Sequence, residues 1–299
     1  MNTPAGLRPR TVGEILDASF TLYRRRFWPL LLVATVFSVP TLVVAVAVSS
    51  SISNGAADTM EGFGAYYRAL ERTQGRWDKN VLDAYLETLN RAMKMNLVLY
   101  LTQIAQSFSR GATCVAAATV AWAAVRGAET PRAWDLVRTT LPRALPATFI
   151  WVLTVAISAA CGICLPIPIL GYAVLGPACA VLALERGNLE TSVSKWSSAP
   201  LRFFVAPFAA TIDACGRCFR LTLHGMTLVR GSTLIFFILA FVTIVVLVAS
   251  LAAGIIWESF AVGFVVNHYA EVLFLPVIGT ACALWYLDVR VRREGIDLG

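Results

Sequence analysis

The sequence predicts an all-α, polytopic membrane protein: about six transmembrane helices, interfacial amphipathic helices and an extracytoplasmic helical hairpin. Three observations predict it. Hydrophobic residues make up 58% of the 299 residues and charged residues 14%, against about 25% charged in an ordinary soluble domain. Uncharged apolar runs of spanning length recur along the chain. The basic residues gather in segments that would lie on one side of a bilayer. With a mean hydropathy of +0.69, this composition excludes a soluble globular enzyme, a disordered chain and a secreted disulfide scaffold.

The elements follow in order. Residues 11–26 read as an interfacial helix. Thr11 and Glu14 form a capping box; Val12, Ile15, Leu16, Phe20 and Tyr23 share one face, and Arg24, Arg25 and Arg26 close it where positive charge suits both the helix dipole and anionic lipid. Span one covers 27–48 with Pro40 inside it, which bilayer helices tolerate. No small-residue cleavage site ends this run, so it is expected to remain as a signal anchor. Residues 51–95 read as a helical hairpin outside the membrane. Met60, Phe63, Tyr67 and Leu70 share a face of its first arm, and Val81, Leu82, Tyr85, Leu86, Leu89 and Met93 a face of the second, with Gly75 between them. Those faces would pack on a neighbour, lie on lipid or meet a partner. The second arm should run straight into span two, 97–125. A second interfacial helix is expected over 130–143, with Thr130 as N-cap and Pro131 at its first position. Spans three and four, 145–164 and 167–184, form a tight hairpin around Leu165-Pro166-Ile167-Pro168. Residues 191–229 read as cytoplasmic or interfacial helices, with an amphipathic stretch starting at Thr211. Spans five and six are 232–254 and 268–287. The recurrence of Thr, amphipathic stretch and span suggests three repeated units. The whole is one membrane domain, residues 1–299.

The net charge is +7. Sorted by side, the face holding both termini carries 18 basic and 10 acidic residues and the opposite face 6 and 7. That bias predicts cytoplasmic termini and accounts for the basic balance without nucleic acid. The expected partners are the bilayer itself, anionic lipids at Arg24–Arg26, and other membrane proteins.

Two segments carry a family resemblance: Arg8-Pro-Arg-Thr-Val-Gly-Glu-Ile-Leu-Asp-Ala-Ser-Phe-Thr-Leu-Tyr-Arg-Arg before the first span, and Trp285-Tyr-Leu-Asp-Val-Arg-Val-Arg-Arg-Glu-Gly-Ile-Asp-Leu at the end. Together they resemble a family of bacterial multi-pass proteins often labelled "glycerophosphoryl diester phosphodiesterase membrane domain". Ala214-Cys-Gly-Arg-Cys-Phe-Arg-Leu is similar to a further family segment, with Cys218 where Ser is usual. The resemblance implies a bacterial cytoplasmic membrane. It does not imply phosphodiester cleavage, because the catalytic barrel of such enzymes takes roughly 250 soluble residues and the sequence has only two histidines, His224 and His268, to serve as ligands.

Arg110 and Glu271 are the leading candidate site. Counting from the helix ends puts both a turn or so inside the outer boundary, where an isolated charge costs about 2.5–3.5 kcal/mol and opposite charges offset one another. Asn267 and His268 lie beside Glu271, and Gln103 and Gln106 beside Arg110. These residues read either as a polar pocket open to the outer leaflet or as a structural bridge. Cys161 and Cys164 could form an outer redox pair or disulfide, or simply pack as small residues. Cys215 and Cys218 repeat the spacing at the other surface, so the topology forbids a shared zinc site. Cys114, Cys179 and Cys282 read as isolated. No nucleotide-binding, zincin or serine-hydrolase motif is present, and no metal or cofactor is expected. The leading expectation is a non-enzymatic component that organises lipid or partners. A transporter or channel subunit with a polar site near the outer leaflet, and an intramembrane enzyme acting on lipid or thiols through Glu271 with His268 or through the outer Cys161–Cys164 pair, are the alternatives.

Overall fold

The structure, a computed structural model, describes residues 9–160, 166–185 and 199–295. It is 90% helical, and no strand occurs among the described residues. Among the described residues nine helices run in order: α1 Val12–Arg25, α2 Phe27–Arg72, α3 Lys79–Val125, α4 Ala133–Ala160, α5 Pro166–Leu175, α6 Ala178–Leu184, α7 Ala199–Thr222, α8 Gly225–Ile256 and α9 Phe260–Glu294. Five of them, α2, α3, α4, α8 and α9, are long and apolar enough to cross a membrane.

α1 begins as its sequence dictates. Thr11 Oγ1 accepts from the Glu14 N–H at 3.3 Å, and the Glu14 carboxylate accepts from the Thr11 N–H at 2.7 Å. The helix does not lie free on the surface. It packs along α9, pinned where the Arg10 N–H donates to Asp288 at 2.5 Å and where the Tyr23 hydroxyl donates to the Leu273 carbonyl at 2.6 Å. The second contact falls where Pro276 interrupts the α9 hydrogen-bond ladder. The first holds the two ends of the described chain at one end of the bundle.

α2 and α3 form one antiparallel hairpin. At 46 and 47 residues each is about 70 Å long, more than twice the ~30 Å of a hydrocarbon core. The expected span one and the first outer arm are thus a single helix, continuous through Pro40. Gln74 and Gly75 close the hairpin with φ of 51° and 81°, and Asp78 caps α3 by accepting from the Val81 N–H at 2.8 Å. The projecting arms meet on Thr59, Gly62, Val81 and Thr88, all buried. Of the apolar stripes that were expected to pack on a neighbour, lie on lipid or meet a partner, Val81 is buried in this contact, while Met60, Tyr67 and Met93 point outward at 75%, 62% and 63% exposed. Small residues win the contact face because they let the helix axes approach closely.

Several boundaries differ from expectation. The second interfacial helix and span three are one helix, α4, which starts at Ala133 rather than after Thr130. The expected span four is broken into α5 and α6 by the Gly176-Pro177 turn, since Pro177 has no N–H to continue the ladder. Thr211 starts nothing. It lies inside α7, its hydroxyl donating to the carbonyls of Pro207 at 2.8 Å and Pro146 at 3.0 Å. Of the three threonine starts, only Thr11 caps its helix.

The core lies among α3 to α9, with Ile15 of α1 inserted into it. Its closest approaches are at glycine: a Cβ on Gly111 would fall 2.6 Å from the Ala147 carbonyl carbon, and one on Gly279 would fall 2.8 Å from the Ala117 Cβ. A charged cluster ties the end near the termini. Glu185 accepts from the Tyr286 hydroxyl and pairs with Arg217 at 3.4 Å and Arg290 at 3.7 Å, while Glu294 pairs with Arg217 and, at 2.9 Å, with Arg290.

Candidate functional site

α3 and α9 place Arg110 and Glu271 at matching depth. About 22 Å of helix, at ~1.5 Å per residue, separates Arg110 from the end of α3 at Val125, and the same length separates Glu271 from Tyr286 in the charged cluster. The two side chains meet. Arg110 Nε donates to Glu271 Oε1 at 2.7 Å, and one terminal nitrogen lies 2.6 Å from the same oxygen. Arg110 also donates to Gln103 Oε1 at 2.9 Å and Gln106 Oε1 at 3.0 Å, two turns and one turn back on its own helix respectively. The guanidinium is therefore held from two helices and only 8% exposed.

The network continues with a fixed polarity. Gln106 gives its oxygen to Arg110, so its amide N–H faces His268 Nδ1 at 2.8 Å. Nδ1 must then accept. His268 Nε2 lies 3.3 Å from Thr41 Oγ1, whose own hydrogen goes to the Ser38 carbonyl at 2.8 Å, so Nε2 donates. Hydrogen-bond complementarity alone assigns the neutral, Nε2-protonated imidazole. Both ring nitrogens are consumed in joining α9 to α2 and α3. His268 thus does not pair with Glu271, and the two do not form an acid–base dyad.

On the other side of the ion pair is a cavity of about 270 Å³. Arg110, Glu271 and Asn267 form its polar wall, and Trp151, Tyr172 and a strip of aliphatic residues from α8 and α9 form the rest. It opens laterally along α8, where Leu247 is 51% exposed and Thr243 is exposed. Toward the charged cluster it is closed by packed core, including Cys114, Ile278, Ala281 and Cys282. Several hydrogen-bonding groups of the cavity wall have no partner among the described residues. Elsewhere in the spans, Thr102, Thr119, Thr148 and Thr280 bond back to carbonyls of their own helices, whereas Ser38, Thr113, Ser232 and Trp285 are buried without a partner among the described residues. Among the described residues, Glu271 Oε2, the Asn267 amide and the hydroxyls of Tyr172 and Thr243 have no such partner, and the Trp151 N–H is buried without an acceptor. Unsatisfied polar groups at membrane depth are costly, and those that line the cavity border open space in which a bound molecule can supply the bonds.

The sequence-predicted residues thus divide. Arg110, Glu271 and Asn267 line the cavity, and Gln106 and His268 stand behind it. Trp151, Tyr172, Thr243 and Thr41 were not anticipated; an aromatic residue with a polar tip inside an apolar run was the only signal for the first two. Arg24, Arg25 and Arg26 are exposed. Arg24 and Arg25 line a separate surface groove of about 790 Å³ at the α1–α2 junction, together with Phe20 and Trp28. Cys161 and Cys164 lie outside the described residues. Cys114, Cys179 and Cys282 are not isolated: three helices gather them into one buried apolar cluster, as free thiols. Burial pushes the Cys215 thiol up to about 11 and Cys218 well above its ordinary value, so neither is a thiolate at neutral pH. Among the described residues no cluster of His, Cys, Asp or Glu could hold a metal.

Comparison with family models, with curated proteins and with solved structures found no match to this chain.

Proposed function

We propose that this chain is a non-enzymatic, multi-pass membrane protein that binds lipid laterally and organises it around the bundle. The observation that carries the reading is the cavity: a buried ion pair and several unpaired polar groups at the bottom of an aliphatic cleft that opens sideways at membrane depth. A water-filled path would favour transport, but the cleft ends blind against apolar packing. Catalysis would need an acid–base pair in the cavity, and His268 is turned away from it. The exposed Arg24–Arg26 segment beside Trp28 suits an anionic lipid surface, each basic residue there contributing about 1 kcal/mol. On the positive-inside bias and the resemblance of both ends of the sequence to bacterial multi-pass proteins, the protein sits in a bacterial cytoplasmic membrane with both termini in the cytoplasm, where other membrane proteins are further partners. Native mass spectrometry of the full chain released from mild detergent tests the reading. Lipid-mass adducts that persist on the wild type and diminish on Glu271→Leu are expected; a clean, lipid-free protein would contradict it.

A further inference from the structure

Resting on the lipid-binding reading of the cavity, we propose that its ligand is an uncharged lipid with a hydroxyl-bearing head, of the acylglycerol class.

The charge argument comes first. Arg110 and Glu271 are the charged side chains of the cavity wall, and at 2.6 Å they neutralise one another. A phosphate brought to Arg110 would be set against the Glu271 carboxylate. An ammonium brought to Glu271 would be set against the guanidinium. Either intruder must break a pair that the low-dielectric surroundings strengthen, whereas a neutral head leaves it intact.

The hydrogen-bond inventory points the same way. Glu271 Oε2 can only accept, while the Asn267 amide and the hydroxyls of Tyr172 and Thr243 both donate and accept. A phosphate offers acceptors alone and leaves Glu271 Oε2 unsatisfied. A quaternary ammonium offers neither. A hydroxyl donates and accepts from one atom, and vicinal hydroxyls match a wall that mixes both needs.

The remaining wall accounts for the chain. Leu239, Val242, Val246 and Leu247 run along about 12 Å of α8, facing Leu275 and Ile278 of α9. A volume of about 270 Å³ is just under the ~300 Å³ at which drug-sized sites begin. It houses a glycerol-sized head and the first methylenes, and the acyl chain leaves through the mouth beside Leu247 into lipid.

The test uses the purified full chain in micelles and a monoacylglycerol brominated on its acyl chain. Bromine quenches tryptophan at short range, and the difference between wild type and Trp151→Phe isolates the signal from Trp151. Saturable quenching is expected. Unbrominated monoacylglycerol or diacylglycerol should relieve it, and their ranking tells a one-chain from a two-chain ligand. A phosphate-headed or phosphocholine-headed lipid of the same chain length should not relieve it at tenfold excess. Asn267→Ala, outside the ion pair, should weaken the site several-fold, and Glu271→Gln about tenfold, the loss of one hydrogen bond to a charged group. Equal competition by the charged heads would overturn the acylglycerol assignment while leaving a lipid site. Absence of saturable quenching by any chain would overturn the lipid-binding reading itself.

Discussion

Replacing Glu271 by Ala leaves Arg110 charged and buried without its counter-ion, and the structure sets the size of the effect. The Arg110 side chain is 10% exposed and that of Glu271 21%, so the pair is shielded but borders a cavity. Removing one partner of a buried pair costs about 3–5 kcal/mol, and a lone arginine in a spanning helix costs about 2.5–3.5 kcal/mol on insertion scales. Arg110 keeps Gln103 and Gln106, so the lower end applies: Glu271→Ala should lose about 3 kcal/mol. Glu271→Gln retains an acceptor without the charge and should lose about half as much. Arg110→Leu with Glu271→Leu should recover part of the loss, because apolar replacement of a whole buried pair is close to neutral; the unpaired carbonyl of buried Gln106 holds it about 1–3 kcal/mol below wild type, and half-exposed Gln103 adds little. Exchanging the charges recovers less, since Gln106 is committed to His268 and turns its oxygen toward position 110. Unfolding in mixed micelles with rising sodium dodecyl sulfate, followed by circular dichroism, measures all four. A Glu271→Ala protein within about 0.5 kcal/mol of wild type, the scatter of neutral substitutions, would refute a buried pair.

Four further outcomes are expected. Gln106→Leu strips partners from Arg110 and His268 together and should cost about 2–6 kcal/mol, at about 1–3 per buried group; the same unfolding titration reads it. Nitrogen NMR of His268 should show the Nε2-protonated tautomer in wild type, and loss of that fixed assignment in Gln106→Leu. Gly111→Ala, whose Cβ would meet Ala147 backbone at 2.6 Å, should destabilise by at least the ~1–3 kcal/mol of an overpacked core, whereas Gly216→Ala, with nothing within 4 Å, should stabilise α7 by about 0.5–1 kcal/mol; thermal melts in detergent compare them. Maleimide at pH 7 should leave Cys114, Cys179, Cys215, Cys218 and Cys282 unlabelled until the protein is unfolded, because all five are buried and thiols react as thiolates.

Much of this was legible in the amino-acid sequence where the physics is local. Thr11 and Glu14 cap α1 because the capping box needs only residues three apart. Arg110 and Glu271 could be paired because helix rise converts residue number into depth, and two lone opposite charges at one depth have a shared cost to relieve. What was not legible depended on which faces turn toward each other. The apolar faces of the projecting arms look like a packing seam, yet Gly62 and Thr88 make the contact, since close approach rewards small side chains over large ones. Cys114, Cys179 and Cys282 are scattered in sequence and meet because α3, α6 and α9 cross. Trp151 and Tyr172 reach the cavity only through the packing of α4 and α5. His268 looked like a partner for Glu271 at three residues' separation, but Gln106 and Thr41 claim both its nitrogens.

The most direct test is photocrosslinking in native membranes with a diazirine-bearing monoacylglycerol, followed by peptide mapping. Adducts concentrated on the α8 segment from Leu239 to Leu247 and on Asn267, Tyr172 and Ile278, and lost with excess unlabelled lipid, are the expected result. Adducts spread over the lipid-facing surface, such as Val43 and Val46 of α2, with no competable enrichment at the cavity, would contradict the account.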